Sequence, residues 1–127
     1  MPHVDRRSAA LASVRDGRRD ACAGLWSTFL EHLTTRIREI NDEVAHYPRP
    51  IARCDVQLSK LLEERARVYR QLNLATEMGN PMPPGGDDGH WLQRLDEYLA
   101  KLEPCGDDDV EGDLRARLVK SMAQMRS

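Results

Sequence analysis

Residues 26–47, WSTFLEHLTTRIREINDEVAHY, are followed at once by Pro48-Arg49-Pro50, and this stretch decides the fold. Its large side chains recur at alternating steps of four and three residues, with charged residues between them: Trp26, Leu30, Leu33, Ile37, Ile40, Val44 and Tyr47. This spacing is the heptad repeat of a helix that packs along one face against another helix. It predicts a helix over about residues 18–46, ending at the Tyr47-Pro48 corner because proline disfavours the α conformation of the residue before it.

A second heptad repeat begins directly after this corner. Pro50 suits the first turn of a helix, where its missing N–H is no loss. The repeat comprises Ile51, Cys54, Leu58, Leu61, Arg65, Val68, Leu72 and Ala75. Because the turn is short, the two helices are expected to be antiparallel neighbours, the second ending near residue 77. Arg65 is the exception, because it occupies a position in this repeat where an apolar residue is expected. A cation buried there has to pair with a carboxylate, or its long side chain has to extend until the guanidinium reaches solvent.

The remaining segments predict shorter elements. Residues 4–16 are expected to form a short helix that ends at Gly17, and the Pro/Gly-rich residues 78–90 a linker. Residues 91–127 predict two helices separated by Pro104-Cys105-Gly106. We therefore predict an all-α fold, a small helical bundle with three parts: a short helix plus a long antiparallel, coiled-coil-like hairpin (1–77), a linker (78–90) and a shorter helical hairpin (91–127).

Composition excludes several classes of protein. The chain has 127 residues, a formal net charge of −2, and few aromatic residues (5%), and β-branched residues are scarce, so a β-sandwich, a β-barrel or a parallel α/β sheet is not expected. No apolar run approaches the roughly 18 residues that would span a bilayer, so no membrane association is expected. The three Cys lack metal or redox spacing, and no secretory signal is recognised, which favours free thiols in a reducing cytoplasm.

Catalytic and metal-binding patterns are also missing from the sequence. None of the four His lies three or four residues from another His or a Cys, which argues against a metal site on a helix. The acidic stretch from Asp107 fits a calcium loop at several positions, but Leu118 stands where that loop requires Glu. Cys54 falls within the heptad repeat, so a buried apolar position explains it better than a nucleophile does. We expect no enzyme activity, no metal and no cofactor.

The apolar side chains beside the heptad lines suggest a function. Leu62 and Tyr69 widen the apolar surface beyond what one neighbouring helix can cover, so a fold-back, a second copy or another protein should cover it. The leading hypothesis is a non-catalytic protein-protein interaction module (an adaptor, a chaperone-like protein or a regulatory or inhibitory factor) with an unidentified protein partner and a homodimeric state. The residues expected to contact the partner are Arg53, Lys60, Arg67, Arg70, Tyr69 and Trp91. The alternative is a small nucleic-acid-binding regulator that uses the Arg-rich N-terminal half.

Overall fold

The computed structural model describes residues 6–48, 55–79 and 87–126, with side chains from residue 17 onward. Within these ranges the chain forms four α-helices and no strand: α1 (Arg6–Ala45), α2 (Val56–Met78), α3 (Asp88–Lys101) and α4 (Asp109–Arg126). The predicted all-α fold class is confirmed. Contacts between α1 and α2 and between α1 and α4 support the predicted helix-hairpin arrangement in part.

Helix α1 does not end at Gly17, and the expectation of a separate short helix before it is wrong. The helix continues from Arg6 through Gly17 to Ala45. A glycine inside a helix costs only about 1 kcal/mol, and an established helix gains a hydrogen bond with each added residue. One unfavourable position is therefore insufficient to end it.

The buried face of α1 follows the predicted repeat at four of its seven positions. Its fully or nearly fully buried side chains are Cys22, Trp26, Phe29, Leu33, Ile37 and Ile40. Phe29 takes the buried place expected of Leu30, which is half-buried, as are Val44 and Tyr47. A straight α-helix has 3.6 residues per turn, so a strict heptad line drifts around its surface. The buried stripe therefore moves to a neighbouring residue over this length.

Helix α2 has defined caps at both ends. Asp55 is the N-cap, and its Oδ1 accepts a hydrogen bond from the Leu58 amide at 3.0 Å. The helix ends at Gly79, which has a φ of 71°, a value that glycine adopts far more readily than other residues. The Gly79 amide donates hydrogen bonds to the carbonyls of Ala75 and Thr76, each 3.1 Å long. The predicted start of this helix, with Arg53 and Cys54, lies in residues 49–54, outside the described residues.

The chain divides into two compact units. The first unit comprises α1 up to Phe29 together with the chain from Gly106 onward, including α4. Its core is formed by Cys22, Trp26, Phe29, Leu114, Leu118 and Met122. The rings of Trp26 and Phe29 stack with centroids 6.1 Å apart, and Arg18 Nη1 donates to the Gln124 carbonyl at 3.1 Å. Through these contacts the apolar face of α4 packs against α1.

The second unit runs from Leu30 to Cys105 and contains the rest of α1 with α2 and α3. Helix α3 packs on α2: Tyr98 Oη donates to the Gln71 carbonyl at 3.0 Å, and Arg94 donates to the Met78 carbonyl. Helices α3 and α4 thus belong to different units, and the units do not follow the predicted division into residues 1–77, 78–90 and 91–127. Each C-terminal helix buries its apolar face against a long helix.

Candidate partner-binding surface

Three of the residues expected to contact a partner are exposed on α2. They are Lys60, Tyr69 and Arg70. Arg53 lies outside the described residues. The remaining two, Arg67 and Trp91, are buried, so neither side chain lies at the surface where a partner could contact it as expected.

Arg67 lies in the buried part of the second unit and is only 8% exposed. Its guanidinium binds Glu64 through two hydrogen bonds, Nε to Oε2 at 3.0 Å and Nη2 to Oε1 at 2.5 Å. Helix α2 contacts both α1 and α3, so its buried face is wider than a single hairpin contact requires. Arg67 lies on this wider buried face. Arg65, the predicted exception in the repeat, is half-buried instead.

Trp91 is also part of the core, at 2% exposure. It belongs to the apolar face of α3, together with Leu92, Leu95 and Tyr98, all of which are buried. The strong segregation of apolar residues on one side of α3 drives that side against α2. Among the described residues no group accepts a hydrogen bond from the Trp91 Nε1. Trp91 therefore contributes to packing and is not available as an exposed anchor.

Tyr69 and Arg70 each form hydrogen bonds with another residue of the second unit. Asn41 Nδ2 donates to the Tyr69 Oη at 3.1 Å, which orients the ring along α1 while 42% of the residue stays exposed. The Arg70 guanidinium donates two hydrogen bonds to Glu103, each 2.8 Å long. These bonds raise the pKa of Arg70 and hold the pKa of the Glu103 carboxyl below its usual range. Both side chains are therefore ordered before any partner binds.

Exposed residues of α2 form a second heptad line, distinct from the repeat predicted to be buried on this helix. Its members are spaced by three, four, three, four and three residues: Ser59, Leu62, Ala66, Tyr69, Asn73 and Thr76. We call these six residues the outer α2 face. All six are exposed, and its two large apolar residues are Leu62, at 38% exposure, and Tyr69. The spacing is visible in the sequence, but spacing alone does not indicate which of two heptad lines on one helix is buried.

Charged side chains of both signs border the outer α2 face. Glu63, Arg70 and Glu77 follow one edge at intervals of seven residues. Arg65 lies on the opposite edge, between Leu58 and Leu72, which are half-buried. The surface is therefore a narrow line of uncharged residues, apolar at its centre, with charges of both signs along its edges, an arrangement that helices use to pack against other helices.

Other features of the described residues offer little for small ligands. A groove of about 400 Å³ lies between α2 and α3. It is lined by Arg70, Asn73, Leu74, Glu77, Lys101 and Glu103. Its charges balance, and five of its six lining residues are charged or polar, whereas ligand pockets are lined mainly by hydrophobic and aromatic side chains. No group of three or more His, Cys, Asp or Glu in the part of the chain that the structure describes could hold a metal ion.

Comparisons with known proteins add no family to this description. No protein-family model, no curated protein and no solved structure matches the chain. Among the described helices, none combines the length and the apolar character that crossing a bilayer would require.

Proposed function

We propose that the protein is a non-catalytic helical interaction module that binds a protein partner through the outer α2 face. The exposed heptad line on α2 carries the proposal. Heptad spacing on a helix is used for helix packing, and here it occurs twice on the same helix, once toward the core and once toward solvent. A cytoplasmic location remains part of the proposal.

Tyr69 is the central anchor of this surface. Tyrosine contributes large contact area with few rotatable bonds and is enriched among the residues that dominate binding energy. The hydrogen bond from Asn41 fixes its ring, and Leu62 lies two turns away on the same line. An anchor that is already ordered loses less conformational entropy on binding.

The alternative function, nucleic-acid binding, loses support from the pairing of the arginines. Arg67 is bound to Glu64 and Arg70 to Glu103, so two arginines of the Arg-rich N-terminal half already have a carboxylate partner. Phosphate binding depends on uncompensated Lys and Arg. A gel shift on random DNA and RNA at low salt tests this alternative, and salt-sensitive retardation would favour it over the proposal.

Site-specific photo-crosslinking tests the proposal directly. A photoreactive phenylalanine analogue replaces Tyr69 in the full chain, expressed in the native host, and a matched control chain carries it at Val119, which is 54% exposed on α4. We expect ultraviolet light to link position 69 to a protein, and Leu62→Asp in the same chain to remove that product. If position 69 gives no more product than position 119, the proposal is wrong. A nuclease-sensitive product would instead support the alternative.

A further inference from the structure

We propose that the outer α2 face binds the same face of a second copy of this chain, with the two α2 helices antiparallel. This inference rests on the proposed function and names the partner of that surface. Two observations support it: the order of large and small side chains along the six residues of the face, and the order of charges along its edges.

Side-chain sizes along the face complement each other in one antiparallel register. In this register Ala66 lies opposite Tyr69 of the second copy, and by symmetry Tyr69 lies opposite Ala66 of the second copy. The small alanine leaves room for the ring, as close packing of helices requires. On either side, Leu62 meets Asn73 of the second copy, and Ser59 meets Thr76. The two central layers are thus the tightest, and polar residues lie at the ends.

Charges on the edges also fit this register. Antiparallel packing brings the Glu63–Arg70 edge of one copy beside the same edge of the other, and Glu63 then lies near Arg70 of the second copy. Symmetry repeats the pair, so one dimer gains two attractive contacts, each made through Arg70 Nη1, because the bonds to Glu103 use only Nε and Nη2. Arg65, on the other edge, lies near Leu72 of the second copy, and like charges do not meet.

A parallel arrangement of the same faces is disfavoured by charge. In parallel heptad packing, a residue on one edge approaches the residue five positions later on the opposite edge of the partner helix. Arg65 would then approach Arg70 of the second copy, twice in each dimer. Edge charges of this kind set the orientation of helix pairs. The antiparallel arrangement replaces this repulsion with attraction.

Charge balance also favours a second copy over an acidic partner. An acidic helix would need a net positive face, but Arg67 is buried against Glu64, Arg70 is bound to Glu103, and Glu63 and Glu77 share the edge. A second copy offers an opposite charge to both Glu63 and Arg70 of the first, and it places no like charges opposite each other. With two large apolar residues on each copy, the dimer should be weak, with a dissociation constant on the order of 10–100 µM.

The experiment is a charge exchange measured by sedimentation equilibrium on the full chain. The wild-type chain should show a reversible monomer-dimer equilibrium. Glu63→Arg alone and Arg70→Glu alone should each weaken dimerisation by about tenfold or more, because each places like charges opposite each other. An equimolar mixture of the two variants should dimerise as strongly as the wild type, since their opposed residues again differ in sign. The control variants Glu97→Arg on α3 and Lys120→Glu on α4 should dimerise like the wild type.

Several results would overturn the inference. A monomer at all concentrations up to about 1 mM, far above the expected range, would exclude the second copy as the partner. Dimerisation that both charge variants leave unchanged would place the contact elsewhere on the chain. Variants that are weakened singly but not restored in the mixture would exclude the antiparallel register. Circular dichroism checks that each variant keeps the helix content of the wild type, and Leu62→Asp provides a second disruption that leaves the edge charges unchanged.

The test separates the failure of this inference from the failure of the proposed function. If the chain is monomeric but position 69 is crosslinked to a different protein, the interaction module remains and the second copy is excluded. If the chain is monomeric and position 69 is crosslinked to no protein, both are wrong. If the crosslinked product is a dimer of this chain, both are supported.

Discussion

Two residues show how burial changes the role of a side chain. Arg67 and Trp91 have the chemical character of partner-binding residues, but both lie in the core of the second unit. A buried guanidinium costs several kcal/mol unless it is paired, and Glu64 meets that requirement with two hydrogen bonds. Trp91 has no such partner for its Nε1 among the described residues, so its contribution comes from the packing of the indole ring.

We therefore predict different outcomes for two substitutions at Trp91. Trp91→Ala removes a buried aromatic ring and should lower the free energy of unfolding by about 3–5 kcal/mol. Trp91→Phe keeps an aromatic ring and removes the Nε1–H, whose burial without a partner costs about 1–3 kcal/mol. The free energy of unfolding should therefore fall by less than about 2 kcal/mol. Urea unfolding followed by circular dichroism measures both. Equal losses for the two variants would contradict the assignment of Trp91 to packing alone.

At the scale of the helices, the same residue type has opposite effects depending on backbone conformation. Gly17 lies within α1, whereas Gly79 ends α2 with φ 71° and ψ −160°, a combination essentially restricted to glycine. An added Cβ would meet no atom within 4 Å at either position. The two sites therefore differ in backbone conformation and not in the space available.

This contrast predicts opposite changes in stability. Gly17→Ala should raise the free energy of unfolding by about 0.5–1 kcal/mol, because alanine loses less backbone entropy in a helix. Gly79→Ala should lower it by about 1–3 kcal/mol, because alanine is strained at positive φ. Thermal unfolding of the two variants beside the wild type measures the difference. A stabilising Gly79→Ala would show that α2 does not end in this conformation, and a strongly destabilising Gly17→Ala would show that α1 breaks there.

At the scale of the whole molecule, each compact unit holds one cysteine among the described residues, and its thiol reports on that unit. Cys22 is fully buried in the first unit, and Cys105 is half-buried at the end of the second. Burial raises the pKa of the Cys22 thiol, and a hydrogen bond with Ser121 and the charge of Arg126 oppose this only in part. Because the thiolate is the reactive form, both low exposure and the raised pKa slow the reaction of Cys22.

We predict that a thiol reagent distinguishes the two cysteines in the folded chain. In a Cys54→Ser background, Cys105 should be modified first and Cys22 at least about a hundredfold more slowly, since its reaction requires local opening of a core position. Mass spectrometry of peptides taken over time assigns each site. The control is the same reaction in concentrated guanidinium, where the two rates should converge. Equal rates in the folded chain would show that Cys22 is not buried.

The sequence by itself determined the all-α fold class and the end of α1 before Pro48. Heptad spacing before Pro48 and after it, few β-branched residues and a Pro/Gly-rich segment were sufficient for an all-α fold, because helix formation and its interruption depend on neighbouring residues.

Only the tertiary structure decided which faces are buried and which helices share a unit. Both heptad lines of α2 have the spacing of a packed face, and the choice between them depends on where α1 and α3 contact the helix. The same contacts bury Arg67 and Trp91 and place α3 and α4 in different units. Burial is decided by side chains far apart in the chain, since apolar area leaves water only where another element covers it.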